Sequence, residues 1–157
     1  MEKFLYKLEK FDVIIMLEVI EHIKNDVKLI ENISKLLKNN GVILLTTPYK
    51  NYKHMLGDFI SEKEDGSHVR WGYTHKEIER IFNKNGFIVL SKEYVSGFIS
   101  QQISNFMRLL SVLVGVKGSW FITFPLRTLQ IFDDLFTKII GYPYACIGIV
   151  GAKKASN

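Results

Sequence analysis

The chain has 157 residues, 47% of them apolar, enough to bury one core, so one domain or a large part of one is expected. A single cysteine, Cys146, excludes an internal disulfide and fits a reducing compartment, and the opening MEKFLYKLEKF lacks the long apolar core of an export signal. The net charge of +5 would suit an anionic partner, but the lysines are dispersed, and nucleic-acid binding needs a concentrated basic surface.

Residues 1 to 10 alternate loosely (Phe4, Tyr6, Leu8) and read as the tail of a connection. Phe11-Asp12 leads into the apolar run Val13 to Leu17, which predicts a strand over 12–17 buried on both faces, as in a parallel sheet. Ile20, Ile23, Val27, Ile30 and Ile33 recur at three or four, predicting a helix from there to about Leu37. Asn39-Asn40-Gly41 offers the left-handed residue that ends a helix, and a second buried strand, 42–47, stops at Pro48. The connection from 49 to 73 is long, polar and aromatic, the kind that forms a lid or binding loop. Thr74 and Glu77 make a capping box for a helix whose apolar side is Ile78, Ile81 and Phe82; Asn85-Gly86 ends it before a strand over 87–92.

Residues 97–140 carry two apolar stripes. One is Ile99, Ile103, Phe106, Leu110, Leu113 and Val114; the other runs from Leu126 through Leu129, Phe132, Leu135, Phe136 and Ile139. Gly115 to Pro125 separates them, which predicts a helical hairpin inserted before a last strand over 144–151. Arg108, Lys117 and Arg127 interrupt the apolar runs, so no uninterrupted stretch is expected to reach the roughly 20 residues of a membrane span. The stripes pack on the sheet or a partner in one reading. In the other they form a membrane-interfacial surface or a roof over an apolar substrate. Cys146 reads as an inert core residue.

Three segments carry a family resemblance. FDVIIMLEVIEHI, from Phe11, has an acidic turn, a strand, and the pattern ExxEH formed by Glu18, Glu21 and His22. Asn39-Asn40-Gly41 with VILLTTP supplies a turn and strand, and HVRWGYTHKEIERIFNKNGFIVL, from His68, follows. In this order and spacing they resemble the class I S-adenosylmethionine (SAM) dependent methyltransferases, over roughly residues 8 to 95. The resemblance implies an α/β, Rossmann-like methyltransferase fold in which these are strands four to seven of a seven-stranded sheet. The last strand is then antiparallel and sits between the second and third seen here. The glycine-rich turn and acidic strand end that hold SAM in such enzymes have no counterpart before Phe11, where ten residues contain no glycine. The whole chain, 1–157, is therefore read as a single partial domain, truncated or completed by another chain. An exposed edge on the first strand is expected to cause dimerisation or poor solubility.

By the same resemblance, Leu17 and Glu18 are the cofactor contacts, and Glu18 and His22 the catalytic pair. Glu18, Glu21, His22 and His68 form the ligand set of a divalent metal such as Mg, as in metal-assisted O-methyltransferases. Offsets of three and four would place Glu18, Glu21 and His22 on one side of a first helical turn. Without a metal, the two carboxylates and the imidazole only orient the strand end, and His68 with Arg70 only fixes its loop. Tyr49, Tyr52, Trp71 and Tyr73 could line an acceptor pocket or cover a core edge, while His54 and His75 read as solvated.

The function expected is methyl transfer from SAM to an oxygen of a small, glycan or lipid-like acceptor, in the cytoplasm or peripheral to a membrane. The alternative is a non-catalytic remnant or partner subunit acting through protein or membrane-surface contact. Metal-assisted RNA methylation ranks last.

Overall fold

A computed structural model describes residues 9–55 and 57–155, so most of the connection read over residues 1–10 lies outside the described residues. Strand β1 is Phe11–Leu17, followed by a single 3-10 turn, Ile20–His22, and helix α1, Asp26–Leu36. Strand β2, Leu37–Pro48, helix α2, His75–Lys84, and strand β3, Phe87–Val95, come next. Helix α3, Phe98–Thr123, a 3-10 segment, Pro125–Phe132, helix α4, Asp133–Ile140, and strand β4, Cys146–Lys153, complete the order.

The strands form one four-stranded sheet in the order β1-β2-β4-β3. β1 and β2 are parallel and pair from Val13 with Val42 through Leu17 with Thr46. At the head of β4 the Ala145 N–H donates to the Ser96 carbonyl beyond β3, and at its tail the Lys154 N–H donates to Gly86 before β3. β4 is therefore antiparallel to β3 and lies where the resemblance placed it. The chain divides into two compact units, one of residues 1–50, 60–93 and 147–157, the other of 51–59 and 94–146.

In the first unit the core sits on one face of the sheet. Met16, Ile43, Leu45, Phe87, Ile147 and Ile149 meet Ile20 and Ile30 with Ile78, Ile81 and Phe82. Gly151 is required there, since a Cβ would come within 2.7 Å of the Phe82 ring. The capping box of α2 is formed as its sequence predicts, Thr74 and Glu77 satisfying each other's backbone N–H groups.

Three expectations need correction. β1 is not buried on both faces: Met16 is buried, but Phe11, Val13, Ile15 and Leu17 are exposed, because the helices of this unit cover only the other face. The helix predicted from residue 20 is split, for Ile23 is extended and the Asn25 side chain accepts from the Lys28 N–H to start α1 afresh. Asn40 does take the left-handed conformation, at φ 62°, but α1 has already ended at Leu36. Residues 38–41 instead form an irregularity in β2 where its register against β1 shifts.

The second unit also departs from the simple hairpin. α3 runs through most of the predicted separator, and its break is at Gly115 (φ 74°, ψ 169°), a conformation suited to glycine. The start of the second stripe is 3-10 rather than α-helical. By length and composition α3 is long and apolar enough to cross a membrane, although Arg108 and Lys117 interrupt its apolar run as expected. Its first turn is capped from a distance, since Asp133 accepts from the N–H groups of Gly97, Ile99 and Ser100 and from the Ser100 hydroxyl. Asp133 is buried, so removing its carboxylate orphans several donors at once. Asp133→Ala is expected to lower stability by about 3 kcal/mol in urea denaturation, with the loss centred on the helical unit.

Candidate functional site

The carboxyl end of β1 is where the sequence concentrates its polar side chains. Leu17 ends the strand exposed, and Glu18 turns the chain with φ 52°, its N–H still donating to the Thr46 carbonyl of β2 at 3.0 Å. A non-glycine residue in that conformation costs about 1 kcal/mol or more, and such strain clusters at functional sites. The following 3-10 turn drives Ile20 into the core and buries Glu21 beside it, both at 0% exposure.

Glu21 Oε2 accepts from the Thr47 hydroxyl at 3.1 Å, at the end of the parallel neighbour β2. Its other oxygen, Oε1, is buried without a hydrogen-bond partner. That oxygen faces two imidazoles, with His22 Nε2 at 3.7 Å and His68 Nε2 at 4.0 Å. Both distances are too long for direct hydrogen bonds. The two rings meet edge to face, 4.7 Å between centroids.

His68 reaches this point because its loop is stitched along residues 21–26. The Val69 N–H donates to the Glu21 carbonyl at 3.0 Å, and His22 Nδ1 lies 2.9 Å from the Ser67 carbonyl. Arg70 then donates to the carbonyls of Ile23 and Lys24 and to the Asp26 carboxylate, which also accepts from Tyr73. A carbonyl can only accept, so His22 Nδ1 carries a proton. In the neutral ring Nε2 is then a lone pair directed at the cluster.

Glu21, His22 and His68 offer three ligand atoms within 4.8 Å of one another. The unpartnered Oε1 and the fixed His22 tautomer fit a divalent ion, since a second hydrogen bond on the far nitrogen is how metal-bound histidines are oriented. Two imidazoles and one carboxylate suit Mn, Fe(II) or Zn better than the Mg that the resemblance suggested. Glu18, predicted as a fourth ligand and as part of the catalytic pair, is not in this group. Its left-handed backbone and the 3-10 turn remove the shared helical face that the offsets implied.

The loop aromatics go to different places. Trp71 and Tyr73 line a cleft of about 630 Å³ with Asp26, Lys50, Arg70 and Arg80, between the start of α1 and α2. Tyr49 packs against the core, and Tyr52, in the second unit, is buried and donates to Asp58. His75 is not simply solvated, for its Nε2 donates to the Glu93 carbonyl at 3.0 Å; His54 is exposed beside Tyr52. Cys146 is half-buried rather than core. Sequence reasoning missed Thr47 and Ser67, the groups that hold Glu21 and His22; nothing in their local pattern marks them.

A family profile described as a methyltransferase domain matches residues 2–92, and the chain belongs to that family. No curated protein matches. Among solved structures, phosphoethanolamine N-methyltransferase 2 of Haemonchus contortus, in complex with S-adenosyl-L-methionine, aligns with TM-score 0.53 at 17% identity, covering 93% of this chain and 34% of that one. An O-methyltransferase of a Brevibacillus brevis multienzyme, bound to S-adenosyl-L-homocysteine, gives 0.51 at 19%, covering 94% and 45%. The 4+2 cyclase SpnF gives 0.53 at 15%, covering 94% and 52%. These likenesses show the Rossmann-like fold, and the chain spans about half the length of such structures or less.

Burial is the main influence on Glu21. It pushes the carboxyl up to about 7, with the charge of Glu18 adding to the rise, while a backbone hydrogen bond, Thr47 and His22 pull partly back. A carboxyl whose folded value lies above its unfolded 4.5 stabilises the fold below pH 4.5 and loses that contribution as pH rises through 7. Stability measured by urea denaturation is therefore expected to fall, relative to Glu21→Gln, by about 3 kcal/mol between pH 4.5 and 7.5. Parallel pH profiles for the two proteins would show Glu21 ionised at its ordinary value.

Proposed function

We propose that the chain forms the acceptor-side part of a SAM-dependent methyltransferase that acts on an oxygen of a small, glycan or lipid-like acceptor. Its family membership supports methyl transfer, and the buried Glu21 Oε1 between two imidazole nitrogens supports an oxygen acceptor. An oxygen acceptor must lose a proton, whereas an in-line displacement otherwise needs mainly positioning.

Leu17 and Glu18 would form one wall of the cofactor site, an exposed apolar side chain beside a carboxylate that can accept from ribose hydroxyls. The described residues supply that wall and no glycine-rich turn. Bound SAM supplies an electrophilic methyl group on a sulfonium. His22 Nε2 takes the acceptor hydroxyl proton, because its lone pair is free while Ser67 holds the other nitrogen. Glu21, fully buried, places Oε1 3.7 Å from that same Nε2, and its carboxylate stabilises the imidazolium that results. Burial also lets the Glu21 carboxyl sit near neutrality, where it can accept or release a proton itself.

Should a divalent ion be held, Glu21, His22 and His68 would hold it, and it would lower the pKa of the acceptor hydroxyl. That SpnF shares this fold shows why the site, rather than the fold, carries the functional reading.

Two measurements test the proposal. Calorimetric titration of SAM is expected to show binding that Glu18→Ala weakens about tenfold, the worth of one charge-assisted hydrogen bond. With methyl-labelled SAM and a panel of hydroxylated acceptors, His22→Ala should lower kcat by about 10²- to 10⁴-fold while leaving SAM affinity unchanged. A folded protein with no SAM affinity even when a glycine-rich half-domain is added would instead favour the non-catalytic partner subunit. Titration with Mn²⁺ or Zn²⁺ is expected to give one site, lost in Glu21→Ala; no heat of binding would leave the acid–base pair as the whole site.

A further inference from the structure

The second unit has its polarity reversed. Gln101, Ser119, Thr123, Asp133 and Thr137 are all buried, while Val112 is 83% exposed, Phe121 80%, Ile131 79% and Leu113 77%. Water-soluble folds place these residue types the other way round. The buried hydroxyls are satisfied inside their own helices, Ser119 donating to Val116, Thr123 to Ser119 and Thr137 to Asp133. Gln101 donates to the Pro143 carbonyl. Phe106, Leu109, Val112 and Leu113 lie on α3 before its break at spacings of three or four and are all exposed, the kind of apolar patch that marks an interaction surface.

Charge selects the occupant. No aspartate or glutamate occurs between Glu93 and Asp133, whereas Lys117 and Arg127 do, Arg108 being paired with Asp58. A second copy of the chain would bring this acid-free, cationic stretch against itself. Anionic headgroups over an apolar layer complement it on both counts. Trp120, half exposed with the Arg127 guanidinium 5.2 Å from its ring, is the residue type that membrane interfaces favour.

We infer that residues 94–146 form an in-plane docking surface for an anionic lipid bilayer. The unit lies in the interface rather than crossing it. Gly115 breaks α3, and residues 98–114 rise only about 26 Å, short of a hydrocarbon core of about 30 Å. Arg108 lies within that length, paired with Asp58. The inference does not rest on methyl transfer.

Flotation of the full chain with vesicles tests it directly. Binding to phosphatidylcholine vesicles carrying phosphatidylglycerol should exceed binding to phosphatidylcholine alone by about tenfold or more, and high salt should reduce it. Lys117→Ala, at an exposed position, should lower the partition about fivefold. The double variant Val112→Asp with Phe121→Asp should stay at the bottom of the gradient with an unchanged thermal unfolding profile. Wild-type protein that does not float, or floats equally with both vesicles, overturns the inference. So does sedimentation showing a vesicle-independent dimer that the double variant dissociates, which would assign the surface to a second copy.

Discussion

The stitching of residues 67–73 onto 21–26 is the constraint from which the candidate site follows. One backbone bond, the Val69 N–H on the Glu21 carbonyl, is joined by side chains that bond to main-chain carbonyls: His22 to Ser67, and Arg70 to Ile23 and Lys24. Arg70 can do this because a guanidinium offers several donors in one plane, so one side chain ties a carboxylate and two carbonyls together. Asp26 completes the knot by accepting from both Arg70 and Tyr73. Without it His68, 46 residues from His22 in sequence, would have no reason to stand beside Glu21.

The sheet explains why Glu21 is buried there. β1 and β2 are parallel, so their carboxyl ends fall together and Thr47 arrives beside the turn that follows β1. Ile20 anchors that turn in the core, and Glu21 is carried in with it. One oxygen is satisfied by Thr47 and the other is not, an arrangement that costs stability when the group is ionised. Its persistence beside two imidazoles is the physical basis for reading this place as a site of proton or metal chemistry rather than packing alone.

The two units solve different solvent problems. The first buries its isoleucines and phenylalanines against one face of the sheet, as water demands. The second buries its hydroxyls and a carboxylate and turns its leucines, valines and phenylalanines outward. Asp133 can be buried because four donors at the start of α3 converge on it.

The sequence by itself determined the elements whose signals are local. The short apolar, β-branched runs marked β1, β2 and β3, and Thr74 with Glu77 marked the start of α2, because caps and short runs act over a few residues. The ordered motifs also marked the family and the place of the last strand. Tertiary structure alone decided the rest. The left-handed Glu18, the 3-10 turn that removed it from the cluster, and the cap that Asp133 provides for α3 depend on distant partners. So does the exposure of Val13, Ile15 and Leu17, since an apolar strand reads the same whether one face or two are covered. Burial and pairing across tens of residues are properties of the packed chain, and no local pattern of residues encodes which carboxylate will lose its water.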